Sequence, residues 1–171
     1  MKKEARLLRD RAVDALTLSI DHFNRPWDIA RPEAVLVQLD RSFEMLLKAV
    51  IIHKGGRIRE PRAKQTIGFD HCVRKCLTDA TSKCLEPEQA LTLQVINGLR
   101  DAAQHYILEI SEDELYLQAQ AGVTLFRDLL KRVFGEDLAD YLPSRVLPIS
   151  TRPPQDLLAL FREKIDEVGS S

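Results

Sequence analysis

One stretch of the chain decides the fold: residues 87–108, PEQALTLQVINGLRDAAQHYIL. Its apolar residues recur at helical spacing, and they cover much more than one narrow stripe of the helix. Pro87 suits the first turn, where the missing N–H of proline has no partner to lose. Because a helix that is apolar on many sides is usually surrounded by others, we expect a central helix from about residue 86 to residue 108.

The same periodicity continues on both sides of this stretch. Helices are predicted over residues 3–23, 32–54, 67–80 and 111–134. Pro26 ends the first of them, since the residue before a proline avoids the helical conformation. Ser111 and Glu114 form a capping box at the start of the last one, and Gly135 suits its left-handed end.

The composition agrees with a helical fold. Leu and Ala together number 40 against 21 for Val and Ile, and the β-branched residues are the ones that favour strands. The sequence predicts an all-α, single-domain bundle of four to five helices over residues 1–142. Residues 143–154 hold four prolines and predict an extended linker. Residues 155–171 predict a C-terminal amphipathic helix that could begin a further region.

The composition also limits the compartment and the cofactors. No apolar run approaches the roughly 18 residues of a membrane span, and the charged start, MKKEAR, is unlike a signal peptide. A cytoplasmic protein without a membrane partner is therefore predicted. Cys72, Cys76 and Cys84 cannot all pair with one another, and no second group of ligands completes a zinc site around them. We expect reduced, structural thiols and no metal or other cofactor.

The charge is unevenly distributed along the chain. Residues 1–64 hold 14 Lys and Arg against 9 Asp and Glu, whereas residues 109–171 hold 7 against 12. The basic side chains cluster in one segment, namely Lys54, Arg57, Arg59, Arg62 and Lys64. Such a segment suits contacts to phosphates that position RNA without reading its sequence. The alternative is a solvated surface loop.

Three residues of the predicted central helix could carry chemistry: Arg100, Asp101 and His105. On an apolar helix each of them is costly unless it finds a partner. Asp101 and His105 are four residues apart and share a face, so the carboxylate can accept a hydrogen bond from the imidazole. Arg100 lies about 140° around the helix from His105. Its side chain could wrap toward the histidine, a second subunit could complete a site, or the three residues could form a network that only holds helices together.

Arg100-x-x-x-x-His105, with a polar residue directly after the arginine, resembles the motif of the HEPN superfamily. Three other stretches are similar to one branch of that superfamily, which consists mainly of bacterial domains of unknown function. They are SFEMLLKAVII at residues 42–52 followed by GGRI at 55–58, TIGFDHC at 66–72, and IDHFNRP at 20–26. The resemblance covers roughly residues 10–135.

The resemblance implies a helical homodimer and a metal-independent endoribonuclease of a toxin-antitoxin, phage-defence or RNA-processing system. RNA would be cut by its own 2′-hydroxyl, with His105 moving protons, Arg100 stabilising the charge on the phosphate and Asp101 orienting the imidazole. Glu44, Lys48 and Tyr106 are candidate supporting residues. Partners would be RNA, a second copy of the chain, and an antitoxin or other regulatory protein.

One residue departs from the pattern of the superfamily. Asp101 occupies the position after the arginine, where asparagine is more usual. A carboxylate can orient the imidazole, but it also repels phosphate. Some HEPN domains are catalytically inactive, so a dimerisation or RNA-binding module, on its own or within a longer protein, is the alternative function.

Overall fold

The computed structural model describes residues 1–105, 109–143 and 169. The described chain contains five α-helices and no strand. They are α1 (Lys3–Phe23), α2 (Arg31–His53), α3 (Phe69–Thr78), α4 (Pro87–His105) and α5 (Glu112–Leu129). The prediction of an all-α bundle of four to five helices is therefore confirmed. The predicted linker and C-terminal helix lie, apart from Pro143 and Gly169, outside the described residues, as do the last three residues of the predicted central helix.

The central helix of the bundle is α2, not α4 as the sequence pattern predicted. α2 contacts each of the other four helices, and buried side chains occur on nearly every side of it. α4 covers α2 on one side only and leaves Leu91 60% exposed and Val95 38% exposed. The prediction was wrong because periodicity shows which residues are apolar but does not show how many neighbours a helix has.

Close packing holds α5 against α2. The rings of Phe43 and Phe126 meet edge to face with their centroids 5.8 Å apart. At Gly122 the two helices come so near that an added Cβ would lie 3.0 Å from both methyl carbons of Leu39. A larger residue at this position would push α5 away, because the interior is packed at the density of a crystal.

The helix ends follow the predicted chemistry in most details. The N–H of Glu114 donates to Oγ of Ser111 over 3.1 Å, which confirms the predicted cap of α5. The Glu114 carboxylate accepts instead from Gln118, so the reciprocal half of the capping box is absent. After Leu129 the chain makes a wider π-helical turn over Leu130–Phe134, and Gly135 then closes it with a φ of 71°.

A buried arginine joins three helices at one end of the bundle. Nη1 and Nη2 of Arg31 donate to the two carboxylate oxygens of Glu112, at 2.7 and 2.8 Å. Nε donates to the carbonyl oxygen of Phe23 at 2.8 Å, and the guanidinium lies over the ring of that residue. This single side chain thus ties the end of α1 and the start of α5 to the start of α2.

None of the helices in the described part of the chain is long and apolar enough to span a bilayer.

Replacing Arg31 by Lys should lower the free energy of unfolding by about 1–3 kcal/mol, because an ammonium cannot reproduce two parallel donors plus a third. Thermal and urea melts measure the loss. Arg25→Lys is the matched control, since the Arg25 side chain is exposed and makes no hydrogen bond or ion pair with any described residue. Equal stability of the two variants would contradict the role given to Arg31.

Candidate functional site

The side chain of Arg100 lies against α2 and reaches round α4. Its Nε is 3.2 Å from Oδ2 of Asp40, in an ionic contact that lacks the alignment of a hydrogen bond. Its Nη1 is 3.1 Å from Oδ1 of Asp101 and 3.0 Å from Oε1 of Gln104, to which it donates. Arg100 is thus fixed at its inner end by α2, and its outer end follows α4 toward the C-terminus.

Asp40 is a carboxylate in the interior, with a side chain that is only 6% exposed. Its Oδ1 accepts a hydrogen bond from Nδ2 of Asn97 at 2.9 Å. Burial nevertheless raises the pKa of Asp40 above its ordinary value, against the opposing effects of the Asn97 hydrogen bond and the Arg100 charge. Asp40 is therefore a positioning group for Arg100, and its burial disfavours the charged form of its carboxyl group.

A polar stripe continues along α2 from Asp40. Glu44 and Lys48 follow at intervals of four residues and form an ion pair with each other. Nζ of Lys48, which is buried, also donates to Oγ1 of Thr66 at 2.9 Å. Glu44 and Lys48, predicted as supporting residues, thus lie on the same face of α2 as the partner of Arg100. They have no direct contact with Arg100 or His105.

His105 is the last residue of α4 and is exposed. Among the described residues it makes no hydrogen bond or ion pair. The expected hydrogen bond from His105 to Asp101 is absent, because the Asp101 carboxylate turns to the stronger attraction of the Arg100 guanidinium. Tyr106 lies outside the described residues.

His105 lies on the side of α4 that also carries Asp101, the partner of the outer end of Arg100. Asp101 and His105 are separated by about 40° on an ideal helix, whereas Arg100 and His105 are separated by about 140°. Asp101 lies between Arg100 and His105 around the helix, so the contact of Nη1 with Asp101 directs the guanidinium toward the side that carries the histidine.

Sequence reasoning missed Asp40 and Asn97. Their pattern was available, because Asp40 precedes Glu44 and Lys48 on one face of α2, and Asn97 precedes Arg100 on one face of α4. Each position alone reads as an isolated polar residue in an apolar helix. Which polar residue on α2 faces which one on α4 depends on how the helices are packed.

The basic segment projects into solvent from a loop closed at its base. Ile58 and Ile67 are buried, and the N–H of Ile67 donates to the carbonyl oxygen of Ile58 at 2.8 Å. The five basic side chains between positions 54 and 64 are exposed, and Arg59 forms an ion pair with Glu4 at 3.1 Å. This loop follows the end of α2 that is distant from Asp40.

The basic segment and His105 belong to opposite ends of α4. Nζ of Lys54 donates to the carbonyl oxygen of Lys83, just before α4 begins, whereas Asn97 and Arg100 contact Asp40. α2 and α4 are therefore antiparallel. The fourteen residues from Asp40 to Lys54 correspond to about 20 Å of helix. In one chain, the segment can therefore bind RNA only at a distance from Arg100.

Comparisons with known proteins give one match. A family model described as "Domain of unknown function (DUF3644)" matches residues 7–167 of the chain. Neither a curated protein nor a solved structure gives a significant match.

In the described part of the chain, no group of three or more His, Cys, Asp or Glu side chains could hold a metal ion.

Asp40→Asn should change how stability depends on pH. Because the pKa of Asp40 is raised, the folded protein binds this proton more readily than the unfolded chain, so stability falls as pH rises through the titration. Asparagine keeps an acceptor for Asn97 and cannot ionise. Between about pH 4 and the raised pKa, the melting temperature of the parent should fall relative to that of Asp40→Asn.

The control for this experiment is Asp14→Asn, which changes an exposed carboxylate of α1. Its melting curve should run parallel to that of the parent at every pH. If the melting temperature of Asp40→Asn also runs parallel to that of the parent, Arg100 and Asn97 compensate fully for the free energy lost by burying the charge. Asp40 then positions Arg100 without destabilising the fold.

Proposed function

The chain belongs to the DUF3644 family, and we propose that it is a metal-independent endoribonuclease whose site is built from Arg100 and His105. The observation that carries the proposal is the arrangement of Arg100. Asp40 holds the inner end of its side chain, and its outer end reaches Asp101, on the face of α4 that bears an exposed histidine. The resemblance to HEPN domains supports the same pair of residues.

The proposed reaction uses the 2′-hydroxyl of RNA as the nucleophile. An imidazole can act as a base or as an acid, so His105 can take the proton from that hydroxyl or deliver one to the departing 5′-oxygen. Arg100 stabilises the negative charge that develops on the non-bridging oxygens. The products are a 2′,3′-cyclic phosphate and a 5′-hydroxyl end. DNA has no 2′-hydroxyl and is not cut.

Asp101 takes a different role from the one expected of it. Its carboxylate is 53% exposed and contacts the guanidinium, so it holds Arg100 before RNA binds. A phosphate that approaches Arg100 competes with this exposed carboxylate and not with Asp40, which is buried. Asp101 is therefore a positioning residue. When a phosphate binds, it replaces Asp101 as the partner of Arg100, so the contacts of Arg100 differ between the free and the occupied site.

A second candidate function is a non-catalytic module that dimerises and binds RNA. The observation that favours it is the pairing of Arg100 with two carboxylates, Asp40 and Asp101, which offset its charge. In this case Arg100 only attaches α4 to α2, and His105 is a surface residue. Activity and stability of the same variants separate the two functions.

An exposed seam on α4 supports a homodimer. Leu91, Val95, Gly98, Ala102 and His105 follow one another at alternating intervals of four and three residues, which is the spacing of a helix that packs on another helix. Gly98 has open space beside it, so a second helix can come close. Pairing two such seams about a two-fold axis brings two Arg100–His105 pairs toward one cleft.

The basic segment would bind RNA at a surface separate from the site of cleavage. Its exposed charges, about 20 Å along α2 from the level of Arg100, contact phosphates of the same strand without reading bases. We place the activity in the cytoplasm, where an antitoxin or other regulatory protein would restrain it.

His105→Ala should reduce RNA cleavage by about 10²–10⁴-fold, the usual contribution of a general acid or base. Arg100→Ala should reduce it by about 10²–10³-fold, as expected for a lost donor to a developing oxyanion. Arg100→Lys should restore little of this activity, because an ammonium lacks the planar fork. Cleavage of total RNA in buffer with EDTA, followed by mapping of 5′-hydroxyl ends, measures the effect.

Melting curves of the same preparations provide the control. His105→Ala should melt with the parent, since His105 has no hydrogen-bond or ion-pair partner among the described residues, whereas Arg100→Ala should melt earlier because it leaves Asp40 without its cation. A parent that never cuts RNA, beside an Arg100→Ala variant that melts early, would establish the non-catalytic module instead.

Leu91→Glu should convert a dimer into a monomer. The parent should scatter light as twice the chain mass of 19.5 kDa at micromolar concentration, and the variant as one chain, because a charge in the seam cannot be buried against its own copy. Leu7→Glu, on an exposed position of α1, should leave the dimer intact. A parent that stays at 19.5 kDa as its concentration rises would rule out a composite site.

A further inference from the structure

Two cysteines lie side by side at the end of the bundle away from His105. Cys76 is in α3, and Cys84 is in the segment that leads to α4. A turn at Asp79 folds the chain back, so that the N–H groups of Cys84 and Leu85 both donate to the carbonyl oxygen of Cys76, at 2.8 and 2.9 Å. This pair of backbone hydrogen bonds places Cys84 directly beside Cys76.

The backbone is close enough for these two residues to be bridged. With standard bond lengths, the 2.8 Å contact between N of Cys84 and O of Cys76 limits their Cα separation to at most about 6.7 Å. Disulfides span Cα separations of about 4.4–6.8 Å. Cys72 differs, because residues four apart in a helix have Cβ atoms about 5–6 Å apart. A disulfide needs about 3.5–4.5 Å between its Cβ atoms, so Cys72 cannot join Cys76 without breaking α3.

Cys84 opens onto solvent, whereas Cys76 is fully buried. Cys84 lines a cavity of about 500 Å³ whose wall carries His53, Lys54, Lys83 and Arg132 against a single acid, Glu86. Two of these basic side chains are held in place by hydrogen bonds to the backbone of the segment that leads to α4. Lys54 donates to the carbonyl oxygen of Lys83 at 2.9 Å, and Arg132 donates to that of Cys84. The cavity therefore presents fixed positive charge beside a thiol.

The three thiols differ in pKa because their surroundings differ. The neighbouring thiol of Cys76, acting as a donor, lowers the pKa of Cys84, and the charges of Lys54 and Arg132 lower it further, against the effect of burial. The interaction with Cys84 and burial raise the pKa of Cys76. Burial raises the pKa of Cys72 to about 12. Because the thiolate is the nucleophile, Cys84 is the reactive member of the set.

We propose that Cys84 and Cys76 form a site for a hydroperoxide, in which Cys84 is the nucleophile and Cys76 is the thiol that resolves it. The proposal stands on the contact between the two residues, the cavity at Cys84 and its basic wall. It does not use Arg100 or His105, and of the basic segment it involves only Lys54.

The reaction proceeds in two steps. The Cys84 thiolate attacks one oxygen of the hydroperoxide, so that an S–O bond forms, the O–O bond breaks, and the departing alkoxide or hydroxide takes a proton from solvent. Cys84 is then a sulfenic acid. The sulfur of Cys76 attacks the sulfur of Cys84, an S–S bond forms and the S–O bond breaks. The departing hydroxide takes the proton of Cys76 and leaves as water. Two thiols lose two electrons in total, and the hydroperoxide gains them.

The test treats the folded parent and its variants with hydrogen peroxide and then maps the cysteines by mass spectrometry of the denatured, alkylated protein. The parent should lose two hydrogen atoms, give a peptide that links Cys76 to Cys84, and recover both thiols with dithiothreitol. Cys72→Ser should behave as the parent does. Cys84→Ser should form no link. Cys76→Ser should stop at a sulfenic acid on Cys84, which dimedone traps.

A second variant tests the basic wall without touching a thiol. Lys54→Gln should slow the reaction of Cys84 with peroxide at neutral pH and should leave the rate at high pH, where the thiol is fully ionised, unchanged. Circular dichroism before treatment confirms that each variant is folded. A link to Cys72, oxidation of Cys84→Ser as fast as the parent, or a parent that yields only sulfinic acid would each overturn the proposal.

Discussion

The enclosure of α2 is the constraint on which the rest of the structure depends. Because four helices contact it, a polar side chain of α2 that points into these contacts leaves water and must find a partner. Asp40 meets Asn97 and Arg100, and Lys48 meets Glu44 and Thr66. The contacts of Asp40 fix the register of α4 on α2, which decides where the end of α4 and its histidine lie.

The same register divides the candidate site into a fixed and an open half. Asp40 holds Arg100 from the inside and is itself too deep to meet RNA, whereas Asp101 holds it from the outside and is accessible. His105 follows where the helix leaves the bundle. This arrangement suits a phosphate ligand. Asp40 keeps the guanidinium of Arg100 in a fixed direction, while the exposed partner Asp101 can be replaced by the phosphate.

The antiparallel packing of α2 and α4 also separates two kinds of chemistry. The end of α2 that carries Lys54 meets the start of α4, where Cys84 is brought back to Cys76. Arg100 and His105 lie near the other end of α4. The thiol pair and the proposed nuclease site are thus joined by a rigid helix of about 28 Å, and each can be changed without touching the other.

The sequence by itself determined the helices, most of their ends, and the residue types available for chemistry. Periodicity, Pro26, Ser111 and Gly135 act locally, so the pattern within about one turn is sufficient to place them. It also singled out Arg100, Asp101 and His105 as polar residues that needed an explanation. Only the tertiary structure decided that α2 is central, that Asp40 holds Arg100, that Asp101 turns to Arg100 and away from His105, and that Cys84 lies beside Cys76. These outcomes depend on how whole helices pack and on which of several possible partners a side chain meets, which no local pattern records.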